Sequence, residues 1–163
     1  MTDLRWEDVQ QWFDPAGNGS APDLVVTDTT LAGWQALISL IRTAGWRAEF
    51  EQHGRCGEVP ASAADLFAAD PDGWVKYLRV WPDQDIEVIL RPWSADEMVG
   101  DVNLFELQGQ ERLDRFCGIL RQIGRTLSRR VAMFAEGAGD HPPMLAYEVD
   151  VDRVVFLAGP WRG

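Results

Sequence analysis

The chain has 163 residues, 46% of them apolar and 25% charged, and a net charge of −11. That acidity disfavours general nucleic-acid binding and attachment to anionic membranes, both of which draw on lysine and arginine. No apolar run approaches the roughly 20 residues of a membrane span, and the acidic start MTDLRWEDVQQWF is unlike a secretory leader. Two cysteines, Cys56 and Cys117, make no disulfide framework. The reading is a single globular domain over residues 1–163, cytoplasmic, in which residues 1–22 form an N-terminal helix and loop.

Residues 4–13 carry Leu4, Val9, Trp12 and Phe13 at helical spacing, and the Pro- and Gly-rich segment 14–22 predicts a loop. Residues 23–27, DLVVT, predict a short strand. Asp28, Thr29 and Thr30 offer N-caps to a helix over about residues 30–44, where Leu31, Trp34, Leu37, Ile38 and Ile41 recur on one face. Gly45 is a natural stop for it. Residues 46–52 alternate apolar and polar, as a half-buried strand does. Residues 54–60 predict a loop, residues 62–69 a short helix and residues 70–73 a turn. Two β-rich runs, 74–81 and 86–93, flank the turn Pro82-Asp-Gln-Asp85 and predict a hairpin. Residues 94–106 show no period.

A long amphipathic helix is expected over about residues 108–129. Leu113, Phe116, Cys117, Leu120, Ile123, Gly124 and Leu127 share an arc of about 120°, the width of a core-facing stripe. Arg115, Arg121, Arg125 and Arg129 lie opposite. Residues 111–130 carry +4, so the remainder is −15. Strands follow at 131–135, 144–149 and 153–158, the last two as a hairpin, and residues 159–163 are expected to fray. The fold class is α+β, a two-layer sandwich. It has a mainly antiparallel sheet of five to seven strands with the long helix and the 30–44 helix packed on it.

No chemistry-bearing motif emerges. His53 and Cys56 form half of a metal set at most, without a second pair to complete it, so no metal or cofactor is expected. The carboxylates Glu148, Asp150 and Asp152 sit where hairpin tips hold solvated acids. No glycine pattern for a nucleotide is present. The most suggestive stretch is 81–101, where Trp81 and Trp93 are interspersed with Asp83, Asp85, Glu87, Asp96, Glu97 and Asp101 against Arg91 alone. Charge for steering around tryptophan anchors suits a basic protein partner. The expectation is a non-enzymatic protein-binding domain, of the kind that inhibits or confers immunity to a basic toxin or nuclease. A small hydrolase or ligand-binding domain with a cleft beside the sheet is the alternative, using His53, Cys56 or the acidic clusters. An accessory subunit docking through Arg121, Arg125 and Arg129 is the third. The oligomeric state does not follow from the sequence.

Overall fold

The computed structural model describes residues 2–138 and 140–159. The chain is α+β, with nine strands and four α-helices among the described residues. The strands are β1 (Asp23–Thr27), β2 (Arg47–Gln52), β3 (Arg55–Gly57), β4 (Tyr77–Asp83), β5 (Ile86–Ser94), β6 (Glu97–Asp101), β7 (Val131–Phe134), β8 (Leu145–Glu148) and β9 (Arg153–Phe156). They form one sheet in the order β3-β2-β4-β5-β6-β1-β7-β8-β9, and every neighbouring pair is antiparallel.

Nine strands replace the expected five to seven, because the segment read as loop at 54–60 and the segment without a period at 94–106 each contain a strand. Ahead of β3, His53 and Gly54 take φ of 52° and 71°, the two positive values that a two-residue hairpin turn needs, and the chain folds back on β2. In β6, Ser94 faces Glu97 across another two-residue turn, and Met98 supplies the buried side. Strand β4 starts at Tyr77, three residues later than the 74–81 run implied.

Alternation sorts the side chains onto two faces. Leu24, Val26, Phe50, Leu78, Val80, Ile86, Val88, Met98, Met133, Leu145 and Tyr147 are buried on one face. The helices α3 (Leu31–Thr43) and α4 (Gln110–Leu127) supply the matching core: Trp34, Leu37, Ile38 and Ile41 from α3, and Leu113, Phe116, Cys117, Leu120 and Ile123 from α4. Helix α3 is capped by Thr30, whose Oγ1 accepts from the Gly33 amide at 3.0 Å. Ser128, at φ 51°, ends α4 in the left-handed region.

The N-terminal helix is shorter than residues 4–13. It is α1 (Trp6–Val9), tightening into a 3₁₀ turn over Gln10–Phe13. The segment read as loop at 14–22 holds one helical turn, α2 (Pro15–Asn18), started by the Asp14 carboxylate accepting from the Ala16 amide. This region is tied to the front of α4, because Gln110 bonds both the Trp6 amide (2.7 Å) and the Leu4 carbonyl (2.9 Å). The expected helix at 62–69 is a 3₁₀ segment, Ala63–Phe67. Of the expected frayed tail, residues 160–163 lie outside the described residues.

Candidate functional site

The acidic stretch runs from the end of β4 through β5 and β6, and the structure divides it between two ends and one face. At the β4–β5 turn, Asp83 and Asp85 meet Arg115 of α4 at 3.0 and 3.5 Å, and Arg112 stands 3.9 Å from Asp85. These two acids brace the turn against the helix. Asp96 and Glu97 are exposed at the far end, on the β5–β6 turn. Nine residues of β5 separate the two ends, about 30 Å of extended chain.

Trp81, Glu87, Trp93 and Asp101 fall on the second face of the sheet, which is only half covered. Cross-strand pairing places Glu49 beside Arg79, Arg79 beside Ile89, Ile89 beside Asp101, Asp101 beside Asp23, and Val25 beside Val99. The charges here are largely matched. Arg79 bonds Glu87 at 2.8 Å and lies 3.5 Å from Glu51. Arg91 meets Asp101 Oδ1 at 2.7 Å as an ion pair rather than an aligned hydrogen bond. The guanidinium of Arg47 covers Trp81 at 3.8 Å from the ring centre, so this tryptophan is not a free anchor.

Trp93 is different. It is 65% exposed, with the Arg91 guanidinium 5.9 Å from its ring centre. It borders a shallow hollow of about 600 Å³ lined by Asp23, Val25, Arg91, Glu97, Val99 and Phe134. Asp23 and Glu97 have no ion pair among the described residues. The hollow therefore joins one large exposed ring, aliphatic floor and two uncompensated carboxylates.

A neighbouring recess of about 430 Å³ lies between the same face and the 102–106 segment. Arg79, Glu87, Ile89, Asp101, Phe105 and Glu106 line it. Burial pushes the carboxyls of Asp101 and Glu106 up, against the pull of Arg91 on the first and of the Glu87 amide on the second. That amide donates to Glu106 Oε1 at 3.2 Å. Phe105, 66% exposed, stands on the rim. No spacing pattern pointed to Glu106 or Phe105, because they enter this face only through the crossing from β6 to α4.

The arginines of α4 are committed within the molecule. Arg121 pairs with the buried Asp3 carboxylate, which also accepts from the Val154 amide on edge strand β9. Arg125 forms a two-pronged bond with Asp152 at 2.7 and 2.6 Å, and the Tyr147 hydroxyl donates to the same carboxylate at 2.8 Å. Those hydrogen bonds hold the Asp152 carboxyl down at about 2. Arg129 donates to the Asp28 carbonyl, and Arg130 pairs with Glu148 at 2.8 Å. Cys56, on the open face opposite Glu51, does not join His53. His141 is exposed on a separate loop. No family model matches the chain, and no curated protein or solved structure matches it either.

Proposed function

We propose that the protein is a non-enzymatic protein-binding domain that takes a basic protein partner on the open face of its sheet. Its mode of action is that of an inhibitor or immunity protein, masking the active surface of a basic toxin or nuclease. The domain is read as a two-layer sandwich of sheet and helices, with the partner on the sheet's open face, working in the cytoplasm. The observation that carries this is the hollow around Trp93. An exposed ring of this size is the usual anchor of an interface, and the unpaired Asp23 and Glu97 beside it supply the sign of the partner. Among the described residues, no helix is long and apolar enough to cross a membrane.

The test is capture of the partner from native cells with the wild-type protein and with Trp93→Ala/Glu97→Lys. Both sites are exposed, so the variant folds, which its circular dichroism checks. A basic protein held by the wild type and lost by the variant supports the proposal. The same protein retained by both removes this face from consideration. Asp83 and Asp85 are unsuitable for such a test, because reversing them breaks contacts to Arg115 rather than to a partner.

A second reading rests on the recess between Arg79 and Glu106. Two carboxyls shifted up by burial beside an arginine suit a small polar ligand, and a hydrolase or ligand-binding domain would use that cleft. The third reading, assembly through Arg121, Arg125 and Arg129, loses support because each already has an internal acceptor.

A further inference from the structure

The turn between β2 and β3 brings His53 to the segment that leads into β4. There its Nε2 stands 2.9 Å from Asp70 Oδ2. One oxygen each from Asp70 and Asp72, together with a ring nitrogen of His53, lie within 4.8 Å of one another. Asp72 is placed by the turn itself, since its amide donates to Asp70 Oδ1 at 2.9 Å.

Asp70 is the informative member. Its side chain is only 7% exposed, and its Oδ2 is buried without a hydrogen bond among the described residues. His53 approaches that oxygen as an ion-pair neighbour but is not placed as a hydrogen-bond donor to it. A buried carboxylate oxygen without a donor is costly, and it ordinarily has a positive partner. The second carboxylate, Asp72, adds negative charge at the same point.

We propose that His53, Asp70 and Asp72 bind one divalent transition-metal ion of the Zn²⁺ type. An imidazole with two carboxylates is a nitrogen–oxygen donor set suited to such ions. Two tetrahedral ligands, each about 2.1 Å from one ion, stand about 3.4 Å apart, so the His53–Asp70 pair at 2.9 Å has only to open by about 0.5 Å to admit it. Asp72 is exposed on its turn, so its carboxylate is free to close the third position. The remaining positions fall to water or to a side chain of a bound partner. The ion clamps the β2–β3 turn to the approach to β4, beside the half-exposed ring of Trp74, whose centre is 5.8 Å from that of His53. The inference does not rest on the proposed protein partner.

The experiment is calorimetric titration of the full chain with ZnCl₂ in a non-chelating buffer. The wild type is expected to bind one ion saturably. His53 sits at φ 52°, a conformation that asparagine adopts readily, so His53→Asn keeps the turn while removing the imidazole. That variant and Asp70→Asn are each expected to weaken binding by at least about tenfold, the low end of what even indirect metal-site changes cost. His141→Ala, which removes the other histidine, leaves binding unchanged. Absence of saturable binding, full binding by His53→Asn or Asp70→Asn, or loss in His141→Ala overturns the site.

Discussion

Replacing Gly124 by alanine should destabilise the protein although it improves the helix. Gly124 lies on the buried face of α4, and a Cβ there would stand 2.0 and 2.4 Å from Tyr147 Cδ1 and Cε1. Ordinary contact begins near 3.4 Å, so ring and helix must part by about 1.5 Å. Tyr147 is 2% exposed and its hydroxyl is held by Asp152, so the ring has nowhere to turn. Overpacking of this kind costs about 1–3 kcal/mol, here at the upper end. The gain in helix propensity returns about 1 kcal/mol, leaving a loss of about 2 kcal/mol. For a domain of this length that lowers Tm by about 4–8 °C. Gly118, on the same helix, has nothing within 4 Å of an added Cβ. Gly118→Ala should therefore raise Tm by about 2–4 °C. Thermal unfolding followed by circular dichroism reads both. In a Tyr147→Leu background the Gly124→Ala penalty should shrink, a coupling that isolates the ring as its cause. If Gly124→Ala melts at or above the wild type, the close approach of α4 to β8 is wrong.

Asp152→Asn should destabilise the protein near neutral pH and cease to matter in acid. Its folded value near 2 lies below the ordinary 3.8, so its contribution is present above 3.8 and lost as pH falls toward 2. Denaturation midpoints for wild type and variant should converge at the acid end, and parallel curves down to pH 2 refute the assignment. Alkylation at pH 8 should label Cys56 alone in the native protein. Burial pushes the Cys117 thiol up to about 12, so it should react only on unfolding. Mass spectrometry of a timed reaction counts the labels, and rapid double labelling of native protein contradicts the buried placement. Cys56 should itself react more slowly than a small free thiol, because its surroundings and the Glu49 and Glu51 carboxylates push it up. Association with the proposed basic partner should slow markedly as salt rises, since screening shortens the reach of Asp23 and Glu97; a salt-independent on-rate in stopped-flow would exclude steering.

The helices and their faces were legible because their signal is periodic and repeated. All seven residues of the predicted apolar arc of α4 except Leu127 are buried, and Thr30 caps α3 where the sequence offered a choice of three residues. The two strands not foreseen lack that redundancy. In β6 only Met98 and Val99 are apolar, and Gly100 ordinarily argues against a strand. Here the glycine is required, since a Cβ would stand 2.1 Å from the Ile89 carbonyl oxygen of β5. Strand β3 is three exposed residues held by a turn whose conformation His53 would not advertise. The site was harder still. Residues 81–101 read as one acidic surface, yet alternation and a nine-residue strand send its acids to two ends and a face. Nor does composition tell which carboxylates have arginine partners, because those partners come from α4, β4 and β5.

Pairing changes what the net charge means. Arg112, Arg115, Arg121, Arg125 and Arg130 all meet carboxylates, so the +4 of the 111–130 segment is spent within the molecule. Whatever each pair adds to stability, which is modest for the exposed ones, it removes both charges from the field that an approaching molecule meets. The acids left over then set the sign of the surface, and two of them on the open sheet, Asp23 and Glu97, lie at the hollow that also exposes Trp93. A bare tryptophan on an uncovered sheet invites self-association, which like-charged neighbours oppose between copies of the same chain. The same carboxylates favour a partner of opposite sign. Neutralising Asp23 and Glu97 together should therefore weaken the partner and promote self-association at once, and light scattering beside a binding titration separates the two effects. A double variant that stays monomeric and binds as before would leave Trp93 without the electrostatic role assigned to its surroundings.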